Sequence, residues 1–265
     1  MELNEKTYYS LEADKAFMSV HQYLDFIGHM GVVGCESRAL ARIKGEYSEP
    51  TTEAQLIGSF VDSHFEGTLK RFKLEHPECF TKKGELKAGF KKAQRMIERC
   101  EQDDFFMQFM SGEKQKIFTG NLFGCEWKCK LDSYIKGKCI VDLKTSANIH
   151  DSWRVADYGR VSFVEYWGYI LQLAVYQKLV EINTGEKLPC FIAAVTKEDE
   201  PEIAIVGIDQ QSLDHALNEI EMNMPSVLAV KNGEAEPIRC EHCNYCKKTA
   251  KLTKVIHYYD LIDEE

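Results

Sequence analysis

The chain has 265 residues, 44% of them hydrophobic and 28% charged, the proportions of an ordinary globular protein rather than of a disordered, collagen-like or coiled-coil chain. At roughly 150 residues per domain this is one large domain or two small ones. The net charge of −9 excludes a protein that coats DNA over its whole surface, because phosphate binding needs positive charge, but not an enzyme that gathers a few cations in one groove.

Residues 1–120 read as mostly helical. Residues 21–30 carry apolar side chains interrupted by glycine. Over residues 51–72, Leu56, Ile57, Phe60, Val61 and Phe65 recur at three- and four-residue spacing, and Thr51 or Thr52 ahead of Glu53 marks a helix start. Residues 91–100 repeat the pattern through Ala93, Met96, Ile97 and Cys100. Near residue 116 the texture changes, and residues 116–123, 126–135 and 139–145 read as strands. Residues 164–182 then predict one amphipathic helix with Trp167, Ile170, Leu171, Ala174, Val175 and Leu179 on one side. Two more strands, 191–195 and 203–208, precede a last helix over 212–230. This order predicts an α/β (mixed α+β) fold, a central mixed β-sheet flanked by helices. No linker-like shift in composition divides the chain. A single domain over 1–265 is expected, with a helical part over about 1–115 and a cysteine cluster over about 239–250. No apolar run reaches the ~18 residues of a membrane helix, and Met1-Glu2-Leu3-Asn4-Glu5-Lys6 lacks the basic start and apolar stretch of a signal peptide. A cytoplasmic protein without membrane contact is the expectation.

The most informative stretch runs from Lys128 to Ser146. If it is a hairpin turning at Lys136-Gly137-Lys138, symmetric pairing sets Asp132 opposite Asp142, with Cβ atoms roughly 4.5–5.5 Å apart. Lys144, two residues on, projects from the same face. Two carboxylates directly opposite destabilise a hairpin, and a divalent cation would compensate, since hard oxygen donors suit Mg²⁺ or Mn²⁺. Such a metal polarises a phosphoryl oxygen and lowers the pKa of a bound water; Lys144 would orient or deprotonate that water. The bland alternative is an exposed hairpin with solvated charges.

Asp132, nine intervening residues, then Asp142-Leu143-Lys144 resembles the core of the PD-(D/E)xK nuclease superfamily, with Leu131 in place of the usual proline. Gln172-Leu173-Ala174-Val175-Tyr176, with Gln and Tyr on one helical face, is similar to the QxxxY motif of RecB-type nucleases. His64, in the stretch from Gly58 to Gly67, matches the histidine that in RecB-type nucleases and exonuclease VIII lies on a helix upstream of the strands and ligates the metal. The whole chain resembles phage and prophage PDDEXK-like exonucleases related to exonuclease VIII. The resemblance implies Mg²⁺-dependent (or Mn²⁺-dependent) 5′→3′ degradation of linear double-stranded DNA, with His64, Asp132, Asp142 and the Leu143 carbonyl holding metal. Lys144 would serve the water, with Gln172 and Tyr176 positioning the site. It also implies DNA ends as substrate, a single-strand annealing protein as partner in phage-type recombination, and a homo-oligomeric ring.

Cys240, Cys243 and Cys246 form a C-x₂-C-x₂-C run. In a cytosolic chain such spacing points to metal ligation rather than disulfides. Three ligands need a fourth, and His242 is adjacent. In RecB-like nucleases with iron–sulfur clusters one cysteine near the N-terminus joins three near the C-terminus, which by resemblance makes Cys35 the fourth ligand, although those families usually space the last cysteine more widely. Four thiolates suit a [4Fe–4S] cluster or Zn²⁺. The other six cysteines read as small buried hydrophobes. Lysines collect at Lys70, Lys73, Lys82, Lys83, Lys87, Lys91, Lys92, Lys247, Lys248, Lys251 and Lys254, with Phe72, Phe80 and Phe90 among them as candidates to stack on bases. Two other readings remain: a non-enzymatic DNA-binding module around the cysteine centre, and a PD-(D/E)xK nuclease of another specificity, such as an endonuclease or a CRISPR-adaptation nuclease.

Overall fold

Serine side chains begin the first two helices: Ser10 accepts from the Ala13 amide and Ser19 from that of Gln22, each satisfying an N–H that has no partner inside its helix. The structure, a computed structural model, describes residues 1, 3–30 and 32–261. Glu2, part of the N-terminal stretch read above, Gly31 and residues 262–265 lie outside the described residues. The elements are α1 (Leu11–Ala16), α2 (Val20–Ile27), β1 (Gly28–His29), β2 (Val32–Val33), α3 (Glu36–Lys44), α4 (Glu53–Phe65), α5 (Leu69–Glu75), α6 (Lys91–Glu101) and α7 (Asp104–Phe109). The strand-rich part follows with β3 (Lys116–Leu122), β4 (Cys125–Leu131), β5 (Ser133–Ile135), β6 (Cys139–Ser146), β7 (Ser152–Val155) and β8 (Gly159–Ser162). Then come α8 (Phe163–Tyr166), α9 (Tyr169–Thr184), β9 (Cys190–Thr196), β10 (Ile203–Ile208), α10 (Gln210–Lys231) and α11 (Asn244–Thr249).

Three expected elements are each two. The stretch 51–72 starts at Thr52, whose side chain and that of Gln55 cap one another's backbone, but it breaks after Glu66 at Gly67, φ +77°, a conformation that favours glycine. The helix expected over 164–182 breaks at Gly168, φ +70°, so that α8 and α9 are separate and Trp167 is half exposed at 50%. The strand expected over 126–135 is interrupted at Asp132. The β7–β8 hairpin was not expected at all.

The central sheet is mixed, in the order β10-β9-β6-β5, with β6 and β9 parallel and the outer pairs antiparallel. Both faces are covered. Ile140, Ile192 and Ala194 face α9 and α10, while Val141, Leu143, Ala193 and Val195 face α4, α6 and α7. Alternation along β6 therefore sends Asp142 toward α9 and Leu143 toward α4. Each fully buried aliphatic side chain in these layers contributes roughly 1.5–3 kcal/mol, so β6 is held firmly from both sides. Phe72, Phe80 and Phe90 belong to the α4 layer: the Phe60 ring lies 5.5 Å from Phe72 and 6.3 Å from Phe80, and Phe72 and Phe90 are buried. They are core residues and do not stack on bases. No helix among the described residues is long and apolar enough to cross a membrane.

Candidate active site

The β5–β6 turn is tight because Gly137 adopts φ +70°, and the strands pair Ser133↔Val141, Tyr134↔Ile140 and Ile135↔Cys139. Continued by one residue, that register sets Asp132 across from Asp142. Asp132 is fixed by the neighbouring strand: its Oδ2 accepts the Leu143 N–H at 2.8 Å, and its Oδ1 accepts from Gln115 Nε2 at 3.3 Å. Asp142 is buried and held at both oxygens. Gln172 Nε2 donates to Oδ1 at 2.8 Å and also to the Tyr176 hydroxyl at 2.9 Å; Lys144 Nζ lies 2.5 Å from Oδ2. The Lys144 ammonium also sits 4.7 Å from the centre of the Tyr169 ring, a favourable placement for a cation. Gln172 and Tyr176 are thus not a polar flank of α9. Both are buried, and they reach through the layer to the β6 carboxylate.

Burial pushes the Asp132 carboxyl up to about 6, and the Asp142 charge adds to this, while Lys144 and the Leu143 N–H pull the other way. Burial likewise raises Asp62 well above the carboxylate range, with Asp132 contributing. For Lys144 burial acts to lower the pKa, but the Asp142 and Asp132 carboxylates outweigh it and hold the ammonium above its ordinary range. Lys144 is therefore a firmly protonated counterion in this state and not a base.

The sequence assigns His64 to the metal and leaves Asp62 unassigned. His64 lies on α4, as expected, but its Nε2 is paired with Glu101 Oε1 at 2.7 Å and it does not line the acidic cleft. Its expected place at a metal is corrected on helix phase, because two residues along a helix turn the side chain by roughly 200°. Asp62 and Glu66, one turn apart, do line the cleft with Asp132, Asp142 and Lys144, in a cavity of about 700 Å³. Gly58, one turn earlier on the same face, allows the approach: a Cβ there would come within 2.9 Å of Thr145 Oγ1 at the end of β6. The signal in the sequence was the four-residue spacing of Gly58, Asp62 and Glu66. His21 and Lys130 also border the cleft, whereas none of the lysine clusters named above does.

Asp132, Asp142, Asp62 and the Leu143 carbonyl offer hard oxygen donors of the kind a divalent cation takes. Burial, and after it the mutual repulsion of the carboxylates, raises Asp132 and Asp62, and a divalent cation would relieve that repulsion. Among the described residues these carboxylates do not already converge as a three-ligand cluster; the gathered group is a different one, Cys35, Cys240, Cys243 and Cys246, whose sulfurs all lie within 4.8 Å of one another. At the acidic site the Lys144 ammonium, 2.5 Å from Asp142 Oδ2, already offsets part of the carboxylate charge that a bound cation would share.

Facing aspartates with a lysine two residues on, carried by a helix-flanked mixed sheet, define a PD-(D/E)xK-type core. The chain belongs to the family described as a PDDEXK-like domain of unknown function, DUF3799, whose family model matches residues 19–249. The chain is similar to a protein of Eubacterium rectale whose crystal structure is described as that of a "Putative exonuclease". The two share 52% identity over 98% of each chain and superpose with a TM-score of 0.96. Another solved structure, SSO0001, is a weak likeness, with 15% identity over 82% of this chain and 95% of that one and a TM-score of 0.31. No curated protein matches the chain.

Proposed function

We propose that the chain is an Mg²⁺- or Mn²⁺-dependent exodeoxyribonuclease that degrades linear double-stranded DNA from its ends, in the 5′→3′ direction, leaving single strands for an annealing partner in recombination. The observation that carries this reading is the Asp132–Asp142–Lys144 arrangement with Gln172 bonded to Asp142. The likeness to the E. rectale protein supports exonuclease over endonuclease chemistry. Asp132, Asp142 and the Leu143 carbonyl, joined by Asp62, would hold the metal. When bound, the cation would polarise the scissile phosphate and acidify a water. Lys144 would orient the attacking water and offset negative charge that develops on the phosphate. Gln172 and Tyr176 fix the rotamer of Asp142, and a cytoplasmic site of action and a ring-shaped homo-oligomer accompany this reading.

DNA as the substrate is also supported by the β7–β8 hairpin, which links the metal-side strand β6 to α8 and α9. Its register pairs Arg154 with Arg160 directly, and both are exposed. Two like charges directly opposite cost stability, which a backbone phosphate between them offsets.

Duplex DNA labelled at either end, linear or circularised, tests the proposal. Linear DNA should lose nucleotides from its 5′ ends only when Mg²⁺ or Mn²⁺ is present, and circular DNA should persist. Cutting of circular DNA would favour an internal nuclease, and metal-independent binding without hydrolysis would favour a DNA-binding module. Gln172→Ala, which leaves Asp142 Oδ1 without its donor, should lower the cleavage rate about 10–100-fold, as loss of groups that orient metal ligands does. The rate with saturating metal, measured beside the melting temperature, separates this from simple unfolding.

A further inference from the structure

The cysteine cluster is built, not incidental. Cys35 is the residue that starts α3, and Cys246 lies on α11, 211 residues away; their sulfurs are 3.6 Å apart. Cys240 Sγ is 3.9 Å from Cys246 Sγ. The short loop aims backbone donors at its own sulfurs: the Cys243 N–H points to Cys240 Sγ at 3.3 Å, and the Cys246 N–H to Cys243 Sγ at 3.5 Å. The loop is seated on α3 by Ser37 N–H to the Ile238 carbonyl at 3.1 Å and Ile238 N–H to Glu36 Oε2 at 2.7 Å. Arg239 closes it from the other side, donating to the Cys246 carbonyl at 2.9 Å. His242 is exposed and outside the group.

The spacing of the sulfurs discriminates among occupants. A disulfide needs S–S of about 2.05 Å, and these pairs are far longer. A single zinc with Zn–S bonds of about 2.3 Å in a tetrahedron sets neighbouring sulfurs about 3.8 Å apart, which is the tetrahedron's edge. The separations of 3.6 and 3.9 Å fall on either side of that value. In a [4Fe–4S] cluster each thiolate binds its own iron at the corner of a cube. Four irons and four sulfides then lie inside the ring of thiolates and force it wider than one ion does. Sulfurs all within 4.8 Å of one another leave no room for that cube. The iron–sulfur cluster implied by resemblance therefore does not fit.

We infer that Cys35, Cys240, Cys243 and Cys246 hold one zinc ion in a closed, structural site. Four thiolates fill the tetrahedron and leave no position for water or substrate, which distinguishes a structural from a catalytic zinc. The ion joins the start of α3 to the C-terminal segment. The inference rests on the sulfurs alone and stands whether or not the acidic cleft cleaves DNA.

Protein prepared without oxygen from cells supplied with both iron and zinc should contain one zinc per chain, be colourless and lack acid-labile sulfide. Cobalt exchanged into the site should give the intense visible bands of tetrahedral thiolate coordination. Cys243→Ser should reduce zinc from one per chain to near zero, while Cys125→Ser, outside the cluster, should leave it at one. Should Cys243→Ser fail to fold, the wild-type protein titrated with a mercurial in the presence of a zinc-sensitive dye keeps the test open: one zinc should be released as about four thiols react. About four irons with matching sulfide in the oxygen-free preparation, or folded metal-free protein in which all ten cysteines react as free thiols, would overturn the inference.

Discussion

Asp142→Asn and Lys144→Ala should each slow DNA cleavage by about 10³-fold or more, a loss of about 4 kcal/mol of transition-state stabilisation, with duplex binding little changed. Asp142 is buried, and both of its oxygens are already assigned, one to Gln172 and one to Lys144. An amide there weakens metal ligation and turns a donor toward the Lys144 ammonium. Lys144→Ala removes the cation that offsets negative charge developing on the phosphate. It also leaves Asp142 buried beside no cation, which costs on the order of 3–5 kcal/mol of stability when a buried pair is broken, so rates should be read well below the lowered melting temperature. Lys144→Arg controls for charge and should also fail. The ammonium is packed between Asp142 at 2.5 Å and the Tyr169 ring at 4.7 Å with only 17% of the side chain exposed, and a planar fork does not replace a compact ammonium there. Single-turnover hydrolysis of a linear duplex under saturating metal is the measurement. A rate within tenfold of wild type for either Asp142→Asn or Lys144→Ala would remove the hydrolytic site.

How much of this was legible in the sequence depended on how local each feature is. The Asp132–Asp142 pairing needs only a tight turn at Gly137 and the two-residue period of a strand, both written within fifteen residues. A mixed sheet flanked by helices follows from the alternation of strand-like and helix-like texture, but its order does not, nor does the separation of β3 and β4 into a sheet of their own. The α4 assignment failed because it rested on a residue type: a histidine attracts attention as a ligand, yet the helix turns Asp62, not His64, toward β6. Only the packing of Gly58 on Thr145 fixes that phase. The breaks at Gly67 and Gly168 are single glycines inside apolar periodicity, where the pattern outvotes one residue. The β7–β8 hairpin is four residues a side and carries little periodicity. Phe72, Phe80 and Phe90 sit among lysines in the sequence but pack into the core beside α4 in space. The three C-terminal cysteines announced themselves by spacing. The position of Cys35 came from resemblance, since no local pattern connects residues 211 apart.

Asp132→Asn should make the metal-free protein more stable at pH 7 while abolishing cleavage. The sign follows from linkage. Asp132 titrates near 6 in the folded chain and at about 3.9 when unfolded, so between those values the native state binds the extra proton. Stability is then highest below about pH 4 and falls as pH rises toward 6. About two pKa units correspond to about 3 kcal/mol, and the weakened attraction between residue 132 and Lys144 offsets part of the gain. Asparagine keeps an oxygen for the Leu143 N–H. Its amide can donate to a flipped Gln115, so the contact between the two side chains, now made by Gln115 Nε2 to Asp132 Oδ1, survives the exchange. In urea titrations with chelator present, Asp132→Asn should therefore exceed wild type by about 2 kcal/mol at pH 7, and the difference should vanish near pH 4. Mg²⁺ should raise the midpoint of wild type more than that of Asp132→Asn, because the variant has lost one metal donor and part of the carboxylate repulsion. A variant less stable than wild type at pH 7 without metal would mean that Asp132 is a solvated charge and that the carboxylates do not press on one another.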